Sequence, residues 1–136
     1  MTKQEYLSQA YKLEQLIQKK QLLVNEYESL ASISGIKYDG VRLDGNGNHE
    51  TTFLKWMDKV IDLKKEIEEL QKRVELLKAE IVRVIEALKN YDYITILVMR
   101  YLKNFTWLDV CDKLYISRAT AYRWHDLAIS LITIPN

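Results

Sequence analysis

Residues Thr106–Leu131 read TWLDVCDKLYISRATAYRWHDLAISL, and two hydroxyl residues in that stretch decide how the chain is organised. Thr106 and Ser117 are each suited to cap a helix, because a side-chain oxygen at that position accepts one of the backbone amides a helix start leaves unpaired. Caps eleven residues apart leave room for one short helix, whose face carries Val110 and Leu114 four apart, and then a tight turn. The pattern is that of a helix-turn-helix, in which two helices cross steeply and a small residue is needed at the close approach. Cys111 is that small residue. Leu114, Ile116, Ala121, Trp124, Leu127 and Leu131 supply the apolar seam. Ser117, Arg118, Ala119, Tyr122 and Arg123 are left facing outward, where such a helix meets the major groove.

The outward residues carry different chemistry. Arg118, beside the cap, reaches a base edge or a phosphate, and a bidentate Arg–guanine contact is worth about 1–3 kcal/mol; the plainer reading is a surface arginine. Thr120 faces either a phosphate or the body of the domain. Tyr122 packs on a sugar or a thymine methyl, or takes a half-buried structural place. Arg123 resembles a backbone contact, and Lys113 is placed for a flanking phosphate. Double-stranded DNA is the partner these residues suggest. His125 is expected in solvent, and its neighbour Asp126 is not expected to touch it, since adjacent helical residues point about 100° apart.

Ahead of this stretch lies YDYITILVMRYLKNFTW, whose first helix, Tyr91 to Lys103, presents Ile94, Leu97, Val98, Tyr101 and Leu102 as a core face. Trp107 and Trp124 close that small core. Tyr91 to Leu131 resembles the region-four helix-turn-helix of sigma-seventy-type factors: a helix ending in the pair Arg100 and Tyr101, then the capping Thr106, with LYISRATAYRW as turn and recognition helix. Over nearly its full length the chain is similar to small regulators from phages and prophages of Gram-positive bacteria, akin to the ArpU and RinA late-gene transcription regulators. Tyr115 departs from the pattern, standing where many helix-turn-helix proteins carry a left-handed glycine; a non-glycine there costs about 1 kcal/mol or reshapes the turn.

Further out, the composition points to an all-α chain: four Gly and one Pro in 136 residues leave few helix breakers. Lys3 to Ala31 is expected to be amphipathic, with Tyr6, Ala10, Leu13, Ile17, Val24 and Tyr27 at three- and four-residue steps, started by Thr2 with Glu5 as a weak capping box. All four glycines fall in the stretch after Ser32, which reads as a loop over about 32–50, with a short extended piece around Val41 to Leu43. Asp44, Asn46 and Asn48 look like the opening of a calcium loop, but His49 and Lys55 stand where Gly and Glu are required.

A second helix, starting at Thr51 or Thr52, carries an unbroken heptad. Phe53, Val60, Ile67, Val74, Ile81 and Leu88 hold one seam position and Trp56, Leu63, Leu70, Leu77, Val84 and Tyr91 the other. β-Branched residues at the first and Leu at the second suit a parallel dimer, yet that arrangement sets Lys59 against Lys64 and Arg73 against Lys78. An antiparallel partner relieves this, and the first helix, about 43 Å long at about 1.5 Å per residue, reaches along much of the second. The expectation is a helical hairpin over 1–90 followed by a three-helix domain over 91–136. Self-association is expected through Val60, Leu63, Ile67, Leu70, Val74, Leu77, Ile81 and Val84, with Met57 and Ile85 among the apolar surface that meets another copy. The tail from Thr133 to Asn136 should fray.

The single Cys offers no disulfide framework and no metal set. No apolar run is long enough for a membrane span, and Met1 to Lys20 lacks a signal peptide's apolar centre, so a soluble protein in the cytoplasm of a bacterial host is expected. No catalytic constellation and no cofactor motif is found, so an enzyme is not expected. Net charge is +1; from Tyr91 onward Arg100, Lys103, Lys113, Arg118 and Arg123 face Asp92, Asp109, Asp112 and Asp126. DNA affinity rests largely on phosphate neutralisation, so a single copy should bind weakly and act as a dimer or tetramer, or beside host RNA polymerase. The expected function is a DNA-binding transcriptional regulator, with late-gene activation implied by the resemblance. Two rivals stay open: a DNA-packaging component like the small terminase subunit, and a helical interaction module that binds no DNA.

Overall fold

The protein is all-α. A computed structural model describes residues 1–40 and 48–135, with side chains over 1–33 and 51–135. Six α-helices are present among these: α1 Lys3–Leu7, α2 Gln9–Gly40, α3 Asn48–Glu86, α4 Tyr91–Leu97, α5 Trp107–Leu114 and α6 Arg118–Leu131; α4 runs on into one π-helical turn, Val98–Leu102. None of the described helices is long and apolar enough to cross a membrane. Part of the loop expected over about 32–50 is helical, since α2 continues to Gly40 and α3 starts at Asn48. Extending a helix that already exists fixes one residue per added hydrogen bond, so glycine's preference against it is overridden. The extended piece at Val41 to Leu43, and Asp44 and Asn46 of the calcium-like stretch, lie outside the described residues.

The chain divides into two compact units, Gln15–Lys72 and Met1–Glu14 with Arg73–Asn136. In the first, α2 and α3 pair antiparallel: Lys20 reaches Glu66 at 2.8 Å, Glu28 reaches Lys64 at 3.7 Å, and Tyr27 stacks on Trp56 with centroids 5.5 Å apart. The lysine that a parallel dimer would have set against another cation thus finds a carboxylate. Val24, Val60 and Ile67 are buried between the helices, with Ile17, Tyr27 and Leu63 packed around them.

In the second unit the two N-terminal segments run against the end of α3, with Glu14 to Lys78 at 2.7 Å and the Tyr6 hydroxyl donating to Glu80 at 3.1 Å. Thr2 caps α1 by accepting from the Glu5 amide, as its position predicts. Leu7, Ala10, Ile81 and Ile85 share one core with Ile96, Leu97, Leu102, Val110, Ala121, Ala128 and Ile132. The domain boundary expected at residue 90 therefore falls inside this unit. The reason is size: three short helices bury too little surface alone, and the helix ends complete their core.

These facts correct the self-association seam. Val60, Ile67, Val74 and Ile81 are buried within the chain, and Leu63, Leu70, Leu77 and Val84 are half-buried. Ile85, expected on the surface, is fully buried; Met57 is half-buried. Val60 and Ile67 are covered by residues of α2, and Ile81 by the core it shares with Leu7 and Ile96. The seam also stops earlier than the repeat suggests, since α3 ends at Glu86 and Tyr91 is exposed. Past α6, Thr133 is not helical, but Ile134 keeps a half-buried place on the core instead of fraying.

Chain reversals in this unit are made without glycine, because all four lie between 35 and 47. Lys89, Asn104 and Tyr115 take positive φ of 59°, 58° and 57°, and each follows the end of a helical segment. Tyr115, with ψ 46°, is left-handed at the C-cap of α5 and 92 % exposed. A side chain that contacts little yet strains the backbone is removable. Tyr115→Gly should raise stability by about 1 kcal/mol, measured by thermal or denaturant unfolding, while Ile81→Ala should lower it by about 2–5 kcal/mol. A Tyr115→Gly protein that melts lower than the parent would show that the phenol contributes more than the turn costs.

Candidate nucleic-acid interface

The helix-turn-helix is built by caps. Thr106 Oγ1 accepts from the Asp109 amide at 3.1 Å and starts α5; Ser117 Oγ accepts from the Thr120 amide at 3.2 Å and starts α6. Ser117 also donates to Thr120 Oγ1 at 3.1 Å, so Thr120, half-buried, is engaged in the cap itself. Between the helices the Ile116 amide bonds back to the Cys111 carbonyl at 3.2 Å. Cys111 is half-buried and a free thiol, in keeping with a small residue at the crossing.

From this frame Ser117, Arg118, Ala119, Tyr122 and Arg123 are all exposed, as is Lys113. Tyr122 is not wholly free: its ring meets the edge of Trp107 with centroids 4.7 Å apart. Lys113 Nζ stands 5.1 Å over the Phe105 ring. The seam of α6 differs from expectation. Ala121, His125 and Ala128 are buried, Trp124 and Ile129 half-buried, and Leu127 and Leu131 exposed. Two alanines and the hydrogen-bonded imidazole of His125 form the inward line of α6, at four- and three-residue steps, and Leu127 and Leu131 fall off that line.

His125 is the largest correction. It is 6 % exposed, and its Nε2 lies 2.7 Å from the Tyr101 hydroxyl while Nδ1 lies 3.0 Å from Asp126 Oδ1. Its ring stacks on Tyr101 at 5.7 Å and lies T-shaped to Trp107 at 5.2 Å. The neighbour contact excluded by the 100° argument does form, since a carboxylate on a rotatable stem can lean back to a ring at the helix surface. Both ring nitrogens thus have a hydrogen-bond partner, the Tyr101 hydroxyl at Nε2 and the Asp126 carboxylate at Nδ1. A signal was present in the sequence: His125 sits on the line of Ala121, Ala128 and Ile132, whose small and apolar residues mark the packed face.

Carboxylate, imidazole and hydroxyl in a row have the connectivity of a nucleophile-activating relay. Burial, however, pushes the Tyr101 phenol above its ordinary pKa, the opposite of activation. The row instead ties the π-helical turn that follows α4 to α6 and fixes the angle at which α6 is presented. Arg100 plays a similar part: Nη1 donates to the Phe105 carbonyl at 2.7 Å and the guanidinium lies 4.4 Å over the Trp107 ring. That leaves four exposed cations, Lys103, Lys113, Arg118 and Arg123, against four exposed acids, Asp92, Asp109, Asp112 and Asp126. Among the described residues no group of three His, Cys, Asp or Glu is placed to hold a metal ion.

The buried Tyr6 and half-buried Tyr101 phenols set an alkaline limit on stability. Burial and the hydrogen bond to Glu80 push Tyr6 from 10.0 up to about 12, and burial raises Tyr101. A folded-state pKa above the unfolded one contributes stability that is complete below pH 10 and is lost as pH rises toward 12. Melting temperature should fall across that window, and the fall should flatten in a Tyr6→Phe/Tyr101→Phe variant; an unchanged slope would assign the loss to other groups. At neutral pH His125→Ala orphans the Tyr101 hydroxyl and should cost about 1–3 kcal/mol.

No curated protein and no solved structure matches the chain. A family model described as "Protein of unknown function (DUF1492)" matches residues 56–133, taking in most of α3 and all of α4, α5 and α6. That span is more than half of the sequence, and the chain belongs to the DUF1492 family.

Proposed function

We propose that the protein is a DNA-binding transcriptional regulator of phage or prophage genes, acting as an oligomer, with α6 as the helix that enters the major groove. The observation that carries this reading is the exposed first turn of α6: Ser117, Arg118, Ala119 and, one turn on, Tyr122 and Arg123 project from a helix whose opposite face is locked onto α4 and α5. Rigid presentation of a helix N-terminus with an arginine beside the cap is what base-edge readout requires. Arg118 reads a base; Arg123 and Lys113 hold phosphates. In the resemblance to late-gene regulators the sign of control is activation, with host RNA polymerase as a second partner.

The balanced surface charge sets the regime. With four exposed cations and four exposed acids in the C-terminal helices, one copy releases few counterions, so tight binding should be confined to salt below about 100 mM unless copies cooperate or polymerase assists. Genome-wide mapping of bound sites supplies the target duplex. On it, Arg118→Ala should lose about 1–3 kcal/mol of affinity while binding random duplex nearly as before. Arg123→Ala and Lys113→Ala should weaken both alike and flatten the salt dependence by about one unit of slope per lost phosphate contact. Equal losses on both duplexes for all three would remove Arg118 from readout. Failure to bind any duplex, with the fold intact and polymerase supplied, would leave a helical interaction module.

A further inference from the structure

With the α3 seam filled from within the chain, a line of exposed apolar side chains lies on α2 among the described residues of the Gln15–Lys72 unit. Leu16, Leu23 and Leu30 are 40 %, 43 % and 39 % exposed, and Ile33 is 48 % exposed. Steps of seven residues bring the three leucines to one line along the helix, since seven residues make almost two turns. Each stands one residue ahead of an inward one, Ile17, Val24 or Ala31, so the line borders the hairpin's own core without entering it. Single exposed leucines are ordinary; a straight line of three, continued by Ile33 over about 25 Å, is a contiguous patch of the kind that marks an interaction surface.

The charges on this line select its occupant. Lys19 and Glu26 lie three residues on from Leu16 and Leu23, on the same face, and both are exposed. A second helix of the same sequence laid parallel would put Lys19 beside Lys19 and Glu26 beside Glu26. Laid antiparallel about a two-fold axis at Leu23, it sets Leu16 against Leu30, Leu23 against itself and Lys19 beside Glu26, so these two exposed charges between the leucines each meet their opposite. We propose that this leucine line is where two copies of the chain pair, antiparallel, through α2. The pairing does not rest on DNA binding and is read without it.

The test uses the full chain with Cys111→Ala, which removes the native thiol. Sedimentation should give a dimer at micromolar concentration. Leu23→Cys should close an intermolecular disulfide on mild oxidation, since the axis brings residue 23 next to itself. Leu16→Cys alone should not, but mixed with a Leu30→Cys chain it should. Leu23→Lys should raise the dimer dissociation constant at least about tenfold with helical circular dichroism retained. Lys19→Glu should weaken pairing, and Lys19→Glu/Glu26→Lys should restore it; these surface changes leave the hairpin core untouched. A parent that sediments as one chain, a dimer indifferent to Leu23→Lys, or a disulfide formed by Leu16→Cys alone would each overturn the proposal.

Discussion

The shared core in which Leu7, Ala10, Ile81 and Ile85 meet Ile96, Leu97, Val110, Ala121 and Ala128 is the contact on which the arrangement of the C-terminal helices depends. Helices of seven, eight and fourteen residues bring few apolar side chains each, and the hydrophobic gain per residue in so small an assembly barely offsets the entropy of ordering it. Packing against the ends of two longer helices supplies the missing surface. It also has a geometric consequence. Because α4 is covered on several sides, Ile96 is buried beside Leu97, outside the single face that an isolated amphipathic helix would show.

Turn chemistry follows from where the glycines went. All four sit between 35 and 47, so the reversals after α3, after the π turn and after α5 fall to Lys89, Asn104 and Tyr115 with positive φ. Asparagine tolerates this conformation; lysine and tyrosine do so at a cost of about 1 kcal/mol each. Caps offset part of it. Asn90 accepts from the Asp92 and Tyr93 amides at 3.0 and 3.3 Å and starts α4 immediately after Lys89, and Ser117 does the same two residues after Tyr115. Each strained reversal is therefore followed closely by a side-chain cap, which pins the strained residue between two helices whose own hydrogen bonding is complete.

Polar groups that look functional on paper are spent inside. Arg100 braces the Phe105 carbonyl and the Trp107 ring, and His125 bridges Tyr101 and Asp126. Both order the helix-turn-helix, and taking Arg100 from the surface leaves cations and acids there in balance.

The sequence by itself determined the all-α class, the antiparallel hairpin and the caps at Thr2, Thr106 and Ser117, because these rest on local rules: heptad spacing, like charges at Lys64 and Lys78 that require acids opposite, and hydroxyls at helix starts. It also placed Arg118, Ala119, Tyr122 and Arg123 on the open face of α6, since periodicity counts outward residues well. Only the tertiary structure decided which covering each apolar face received. Val60 and Ile67 have the same pattern whether α2 or another copy lies against them, and although the line of Ala121 and Ala128 marks His125 as inward, nothing in that spacing brings the Tyr101 hydroxyl to its ring. Local pattern fixes that a face must be covered; the partner, the closeness of approach and the polar groups trapped beneath it are properties of the assembled core.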